Sequence, residues 1–380
     1  MRKQFIDVDG HILEPANLWT HGVESRFRDR ALQLFVDDDG LEGWMVDDRP
    51  VTFFSHGTAA DAASIGKDQD WRRLNLFEAH TVSWDDGLAM REGAWKPAAR
   101  VALMDREGID VSILYPTLGL TLSRIEDNAL ASAHCRAYND WIIDFCQQYP
   151  ERLYPALTVP WGDPALVVEE MKRTAEIGPR VILAPGGPKN DVSYGRSHWD
   201  PIWAEAENQG VPISLHVGNA GTHAGSALYP EFAQPCWWDF LVGPLDTLLA
   251  FASFFQGAVF DRFPALKLVV LESGCAWMPW WLERMDEMRE VIGFTAPMQM
   301  KPSEYFARQC WISMEPDDAL GAETALRLGA DRLLWAYDYP HSDSCTQPMR
   351  HLGESLASLD ASARRRIEGD NAKALYGLEP

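Results

Sequence analysis

Short, continuous runs of apolar residues recur along the chain, and stretches with helical periodicity separate nearly all of them. Runs of five to seven apolar residues without alternation are typical of strands buried on both faces, and therefore of a parallel sheet. The eight predicted strands cover residues 5–9, 111–115, 153–159, 180–184, 212–217, 266–271, 310–314 and 332–337. Because strands and helices alternate, the pattern predicts a closed (β/α)8 TIM barrel of the α/β class.

The predicted helices lie between these strands, and one long segment interrupts the alternation. The helices cover residues 97–107, 128–148, 164–177, 200–209, 239–257, 278–291 and 317–328, and two more lie within 347–377. The segment of about 14–95 predicts an irregular insertion after the first strand, with a hairpin over 34–46 that turns at Asp38-Asp39-Gly40. No GxGxxG sequence follows any strand, which argues against a dinucleotide-binding sheet. We therefore predict one domain over residues 1–380.

The composition limits the partners of this domain. The chain has 34 Lys and Arg against 56 Asp and Glu, a formal net charge of −22, and such acidity excludes a nucleic-acid partner. No run of about 18 apolar residues occurs, so no transmembrane helix and no membrane partner are expected. The N-terminal stretch lacks the apolar core of a signal peptide, and the six cysteines include no CxxC pair. We therefore expect a cytoplasmic protein with reduced thiols.

Polar side chains stand at the ends of several predicted strands, where a barrel of this kind has its active site. Asp9 and His11 end the first strand, and they project to the same side because they are two residues apart. His216, Glu272 and Asp338 end the fifth, sixth and eighth strands. Burying such groups is costly unless they share a partner, and no basic residue at these strand ends completes an ion-pair network. Imidazoles and carboxylates from several strands are the ingredients of a divalent-metal site.

The order of these motifs resembles the amidohydrolase-related family, in the branch of aminocarboxymuconate-semialdehyde decarboxylase and the dihydroxybenzoate decarboxylases. The motifs are Asp7-x-Asp9-x-His11-x-x-Glu14-Pro15, His216, Glu272-Ser273-Gly274, Asp338-Tyr339-Pro340-His341 and a C-terminal Asn371-Ala-x-x-Leu-Tyr-Gly377. The resemblance runs in order from about residue 5 to 378, although residues 16–95 contain no matching motif. Together the motifs are specific for the family and not for a substrate.

The resemblance implies one divalent metal ion held by Asp9, His11, His216 and Asp338. Many members have His-x-His or Glu-x-His on the first strand, whereas this chain has Asp9 before His11. The resulting oxygen and nitrogen ligand set is harder and more anionic than one with three imidazoles. Zinc is the expected ion, and manganese is the alternative.

The same resemblance assigns three catalytic residues. Asp338 takes the position of the family's catalytic aspartate, which handles the proton. Glu272 stands where the semialdehyde decarboxylases place a histidine that touches the metal-bound water, and its role here is to orient a ligand or to relay a proton. His341 is a substrate contact, a partner of a ligand or an idle loop residue.

Three functions fit these residues. The resemblance favours a metal-dependent, non-oxidative decarboxylase of a small aromatic or unsaturated carboxylic acid, in which Asp338 donates a proton to carbon. The alternative is a hydrolase of a C–C, C–N or C–O bond, in which a metal-activated water attacks. A metal-free binding or scaffold protein is the third. The family and the Trp-rich segment 277–281 also suggest a homodimer.

The insertion follows the first strand and therefore belongs at the catalytic rim. Arginine there would grip a substrate carboxylate, and tryptophan would stack on a ring. The candidate residues are Trp44, Arg49, Trp71, Arg72, Arg73 and Trp84.

Overall fold

The computed structural model describes residues 4–36, 38, 42–51, 84–189, 192–217, 237–293, 298–341 and 344–378. Within these ranges the strands in chain order are β1 (Ile6–His11), β2 (Gln33–Val36), β3 (Glu42–Val46), β4 (Arg49–Val51), β5 (Val111–Tyr115), β6 (Leu153–Leu157), β7 (Val181–Pro185), β8 (Ile213–His216), β9 (Leu268–Leu271), β10 (Cys310–Met314) and β11 (Leu333–Trp335). Eight of them form one parallel sheet in the order β1-β5-β6-β7-β8-β9-β10-β11. All eight strands and the TIM-barrel fold predicted from the sequence are confirmed.

The barrel closes between its first and last strands, just beyond the end of β11. The backbone N–H of Asp338 donates to the carbonyl of Asp9 at 2.8 Å, and the N–H of His11 donates to the carbonyl of Tyr339 at 2.8 Å. Below them, the N–H of Tyr337 donates to Asp7 Oδ1 at 2.9 Å. The closure therefore brings the polar ends of β1 and β11 together.

The register of β1 shifts between Asp7 and Gly10, so the strand is irregular where its polar residues begin. Gly10 allows this shift because a Cβ there would lie 2.5 Å from Ser112 Oγ and 2.6 Å from Asp7 Oδ2. Asp7 Oδ2 accepts a hydrogen bond from Ser112 Oγ at 2.6 Å and Asp7 Oδ1 one from the N–H of Asp9 at 3.1 Å. Asp7 thus fixes the irregular stretch against β5.

Inside the barrel, apolar side chains from opposite strands fill the space below the polar ends. Val8, Ile113, Leu183, Val269 and Leu334 belong to this inner cluster and are almost completely buried. The C-terminal helix contributes to the same cluster from the other end of the barrel. The inner cluster gives the strand ends a rigid base.

The helices of the described ranges agree with most of the predicted positions. Their bounds are Leu18–Gly22, Trp84–Met90, Pro97–Glu107, Asn128–Gln147, Pro164–Arg173, Asp200–Gln209, Trp237–Gln256, Val259–Arg262, Trp277–Ile292, Pro302–Gln309, Gly321–Leu328, Pro348–Ser355, Ala361–Arg365 and Asn371–Tyr376. Asp127 caps the helix that follows it, since its side chain accepts hydrogen bonds from Ala129 N and Leu130 N. None of the helices within the described ranges is both long and apolar enough to cross a membrane.

Some helix boundaries differ from the prediction. The helix predicted for 317–328 begins only at Gly321, and the one predicted for 164–177 ends at Arg173, before a short 3-10 turn over Ala175–Ile177. The helix Pro302–Gln309 was not predicted. It has only eight residues, so it shows little more than two turns of periodicity.

The insertion follows β1, as predicted, and its described part has more regular structure than the sequence indicated. The predicted hairpin is formed by β2 and β3, and β4 adds a third antiparallel strand. Residues 37 and 39–41 of the predicted turn lie outside the described residues, as do 52–83. Arg30 ties this small sheet to the barrel, because Nε donates to Asp47 Oδ1 at 2.6 Å and Nη2 donates to Asp127 Oδ2 at 3.0 Å.

His134 is a second tie between the insertion and the barrel. Its Nδ1 donates to the carbonyl of Leu130 at 2.7 Å, and its Nε2 accepts from the N–H of Leu32 at 2.9 Å. Only a neutral imidazole can donate from Nδ1 and accept at Nε2 at the same time. Burial lowers the pKa of His134 from 6.5 to about 4, which favours this neutral form.

We expect His134 to make the protein less stable in mild acid. Because the folded-state pKa is the lower one, the unfolded chain binds the extra proton between pH 6.5 and 4, and stability falls as the pH falls through that range. The loss amounts to about 3 kcal/mol at pH 4. Urea unfolding of wild type and His134→Gln at pH 7.5 and 5 should show a smaller acid-induced loss in the variant. Exposed His198→Gln is the control, and equal losses in all three proteins would contradict the expectation.

Candidate active site and metal centre

All six residues predicted for the site lie together at the carboxyl ends of the barrel strands. Asp9 and His11 belong to β1 and His216 to β8, and all three are completely buried. Glu272 follows β9, and Asp338 follows β11. The side chain of Asp338 is almost fully buried, and those of Glu272 and His341 are 12% exposed.

The two histidines turn the same nitrogen toward each other. His11 Nδ1 lies 2.8 Å from the carbonyl of Pro116, and His216 Nδ1 lies 2.8 Å from the carbonyl of Val217. Carbonyl oxygens only accept, so each Nδ1 carries its hydrogen and each Nε2 is left for another partner. These two Nε2 atoms are 3.2 Å apart.

Three carboxylates surround this pair of nitrogens. Asp9 Oδ1 lies 3.5 Å from His11 Nε2 and 3.4 Å from His216 Nε2, and Glu272 Oε2 lies 3.7 and 2.9 Å from the same two atoms. Asp338 Oδ1 is 3.2 Å from His11 Nε2. Neither carboxylate oxygen of Asp9 accepts a hydrogen bond within the described part of the chain.

The electrostatics of the cluster favour positive charge at its centre. Burial alone raises the pKa of Asp9, but the imidazoles of His216 and His11 outweigh it and lower the pKa from 3.8 to about 2. Burial likewise lowers the pKa of His216, but Asp9 and Glu272 outweigh it and raise the pKa well above 6.5. A proton on one imidazole nitrogen can neutralise only one of these contacts. A divalent cation at the centre would attract all the carboxylate oxygens and both Nε2 lone pairs at once.

The spacing of these atoms fits such a cation. Ligands bound at about 2.1 Å stand about 3.0 Å apart at right angles and about 3.4 Å apart in a tetrahedron. The separations here run from 2.9 to 3.7 Å. The donor set of imidazole nitrogens and carboxylate oxygens suits zinc and manganese.

His341 lies beside Asp338 and is itself held by Thr117. Asp338 Oδ1 lies 3.0 Å from His341 Nδ1, and His341 Nε2 lies 2.9 Å from Thr117 Oγ1. The Thr117 hydroxyl donates to the carbonyl of Ile12 at 2.7 Å, so it accepts the hydrogen of His341 Nε2. A neutral His341 then turns the lone pair of Nδ1 toward Asp338, so a proton on the Asp338 carboxyl group would have an acceptor there.

Residues that the sequence analysis did not assign support this arrangement. Glu14 holds the loop after β5, since its carboxylate accepts the N–H groups of Leu118 and Gly119 at 3.0 and 2.8 Å. Thr117 is a polar residue two positions after the buried strand β5, close to the strand ends that located Asp9 and His216. Buried Arg100 donates to the carbonyl of His11, and nothing in its helix pattern indicated this role.

The backbone at Glu272 and Asp338 is left-handed, with φ of 47° and 57°. A residue other than glycine in this region costs of the order of 1–3 kcal/mol, and such strain gathers at functional sites. Hydrogen bonds of the barrel closure compensate for it at Asp338. The strained backbone aims both carboxylates at the histidines.

Three of the insertion residues predicted as substrate contacts lie within the described residues, and each contacts another part of the chain. Arg49 is exposed and donates to Glu126 at 2.8 Å, and its grip on a substrate stays a prediction. Trp44 and Trp84 are buried edge-to-face with ring centroids 5.2 Å apart, and Trp84 Nε1 donates to the carbonyl of Glu14. The predicted contacts Trp71, Arg72 and Arg73 lie outside the described residues.

Comparison with known sequences finds relatives along most of the chain. The sequence model of a family described as amidohydrolase matches residues 6–378. The gamma-resorcylate decarboxylase of Rhizobium sp. (strain MTP-10005) is 25% identical over 293 residues, which are 74% of this chain and 86% of that protein. The 2-amino-3-carboxymuconate-6-semialdehyde decarboxylase of Dictyostelium discoideum is 25% identical over 315 residues, 78% of this chain and 81% of that protein.

Solved structures share the whole barrel. An amidohydrolase from Mycobacterium avium subsp. paratuberculosis K-10 has a TM-score of 0.80 at 24% identity, over 99% of this chain and 100% of that one. A dihydroxybenzoic acid decarboxylase from Polaromonas sp. JS666, solved with manganese and the inhibitor 2-nitroresorcinol, has a TM-score of 0.67 at 20% identity, over 99% and 98%. At these identities the likeness concerns the fold.

Proposed function

Since the chain belongs to the amidohydrolase family, we propose that this enzyme is a metal-dependent, non-oxidative decarboxylase of a small aromatic or unsaturated carboxylic acid. The observation that carries the proposal is the position of Asp338, whose Oδ1 lies between His11 Nε2 at 3.2 Å and His341 Nδ1 at 3.0 Å. The same carboxylate oxygen thus lies beside one of the two facing imidazole nitrogens and beside His341. The names of both curated relatives support the reaction class.

The chain's own residues divide the work of this reaction. Asp9, His11 and His216 would hold zinc or manganese together with a carboxylate from Glu272 or Asp338. A bound cation supplies a Lewis acid for the substrate's carboxylate and a neighbouring oxygen. Burial of the site and the left-handed backbone at Asp338 keep its carboxyl group beside those oxygens.

The proton-transfer step involves Asp338. It donates its proton to the carbon that bears the carboxylate, and a C–H bond forms there. The bond from that carbon to the carboxylate then breaks, its electrons return to the ring or the double bond, and CO2 leaves. His341 keeps the carboxyl group oriented, because Thr117 holds the far side of its ring.

Turnover in ¹⁸O-labelled D2O tests the reaction class. A decarboxylase should release CO2 and take one deuterium per turnover at carbon, with no ¹⁸O in the organic product. A hydrolase would leave stoichiometric ¹⁸O in the organic product and form no CO2, and that result would replace this proposal with the hydrolase alternative. Metal-free wild-type protein after incubation with zinc or manganese would instead favour the scaffold.

The homodimer and the cytoplasmic location stay predictions. Leu245 and Leu249, one turn apart on the helix Trp237–Gln256, are about half exposed, and Trp280 is 58% exposed. We propose these exposed apolar side chains as contacts with a second copy of the chain.

A further inference from the structure

We propose that Arg100 is a positioning residue of the metal centre, which holds the backbone of His11 in place from the surrounding helix layer. Arg100 lies on the helix Pro97–Glu107, and its side chain is almost completely buried. The inference rests on the metal site of the proposed function. It concerns how one predicted ligand is held, and it does not depend on which bond of a substrate breaks.

Three contacts join Arg100, His11 and Tyr339 into a closed triangle. Arg100 Nη2 donates to the carbonyl of His11. The guanidinium carbon of Arg100 lies 5.1 Å from the ring centroid of Tyr339, within the range of a cation–π contact. The third contact is the N–H of His11, which donates to the carbonyl of Tyr339 at 2.8 Å. Both backbone polar groups of His11 therefore belong to the triangle.

The backbone of His11 needs this support because β1 is irregular just before it. The register with β5 shifts between Asp7 and Gly10. Asp7 fixes the strand before the shift through its contacts with Ser112 and the N–H of Asp9. The guanidinium passes close to Gly10, where a Cβ would lie 3.5 Å from Nη1, and it fixes the strand after the shift.

The chemistry of Arg100 indicates that its contacts matter more than its bulk. Within the described part of the chain, no carboxylate forms an ion pair with this guanidinium. Burial lowers the pKa of Arg100, and the attraction of Tyr339 and Asp7 acts in the opposite direction. An apolar side chain of similar volume would fill the same space without the cost of burying a charge. A guanidinium supplies what that side chain lacks, a planar group that donates at its edge and stacks on its face.

The sign of the effect on metal affinity separates positioning from a purely electrostatic role. Burial and the neighbouring imidazoles lower the pKa of His341, and the charge of Arg100 lowers it further, so this charge reaches the site. A positive charge repels a divalent cation, and its removal alone would strengthen metal binding. Loss of positioning would weaken metal binding, because His11 Nε2 would no longer be held 3.2 Å from His216 Nε2. We therefore expect weaker binding without Arg100.

Arg100→Met tests the proposal, and Arg180→Met is its matched control. Arg180 is also a buried arginine that donates to a carbonyl, that of Gly178 at 2.9 Å, but it precedes β7 and so lies at the opposite end of the barrel. Chelator-stripped wild type and both variants are titrated with Mn²⁺ and with Zn²⁺ in competition with a chromophoric chelator. Urea unfolding of the metal-free proteins measures their stability separately.

Arg100→Met should weaken metal affinity at least about tenfold, the usual effect of losing a group that supports a ligand. Its Mn²⁺ electron paramagnetic resonance spectrum should differ from that of wild type, because one ligand is displaced. Arg180→Met should change the affinity by less than about threefold and keep the spectrum, even where its stability falls as far, since the two sites are distant.

The outcomes are distinct. Unchanged or stronger metal binding in Arg100→Met would overturn the inference and leave the proposed function standing, and so would an equal loss in Arg180→Met. Wild type that binds neither ion would overturn both. Binding that follows the expected order while turnover produces no CO2 would refute only the decarboxylase.

Arg100→Lys replaces Arg100→Met if circular dichroism shows that the methionine variant does not fold. Lysine keeps the charge but lacks the planar group that spans both partners. Metal affinity should therefore still fall in Arg100→Lys, and wild-type affinity in that variant would contradict the inference.

Discussion

Replacing Asp338 by asparagine should lower turnover by about two to four orders of magnitude, the usual contribution of a general acid. Asparagine preserves the size of the side chain and one oxygen, but it has no proton of suitable acidity to give to carbon. Its backbone can keep the hydrogen bond to the Asp9 carbonyl, because asparagine accepts a left-handed conformation better than most residues. The barrel should therefore stay closed while the chemistry stops.

Steady-state kinetics with the metal-loaded variant measure the loss. Asp331→Asn is a suitable control, since that partly exposed aspartate lies before β11 and away from the site. The control should keep its turnover. Near-normal turnover in Asp338→Asn would mean that Asp338 only closes the barrel.

Removing either histidine should empty the metal site. His11→Ala and His216→Ala each delete one of two nitrogen ligands and leave the carboxylates of Asp9 and Glu272 facing each other across a gap. We expect metal content to fall from about one ion per chain to less than about a tenth, with a loss of affinity above the roughly 10- to 100-fold that supporting residues produce. The fold should survive, because the inner apolar cluster below the site is untouched.

Elemental analysis after dialysis against zinc or manganese gives the stoichiometry, and circular dichroism reports the fold. Exposed His198→Ala should keep its metal. Full occupancy in His216→Ala would show that the facing Nε2 atoms are not ligands. Wild type without metal would remove the basis of the mechanism altogether.

The position of the site was predictable because it follows from the fold. Continuous apolar runs locate parallel strands, and the carboxyl ends of such strands meet at one end of a barrel. Polar residues that directly follow the runs therefore had to meet. That reasoning located Asp9, His11, His216 and Asp338 and also predicted the hairpin of the insertion from its turn.

How the carboxylates at the strand ends are directed was not predictable in the same way. It depends on the left-handed backbone at Glu272 and Asp338, and sequence patterns disclose such a conformation reliably only at glycine. The Thr117–His341 contact joins residues 224 positions apart and has no local signature. The partner of Arg49 was equally unpredictable, because Arg49 and Glu126 are 77 positions apart and meet only where the small sheet packs on the barrel.

The two backbone hydrogen bonds that join Asp9 to Asp338 and His11 to Tyr339 have a consequence for how this enzyme can evolve. The closure of the barrel and the proposed acid, Asp338, belong to the same stretch of chain. A substitution at Asp338 that disfavours its left-handed backbone would displace the proposed proton donor. The same substitution would weaken the hydrogen bonds that close the barrel. We therefore expect substitutions that change substrate preference to be tolerated best away from these hydrogen bonds, where a change of side chain leaves the closure of the barrel intact.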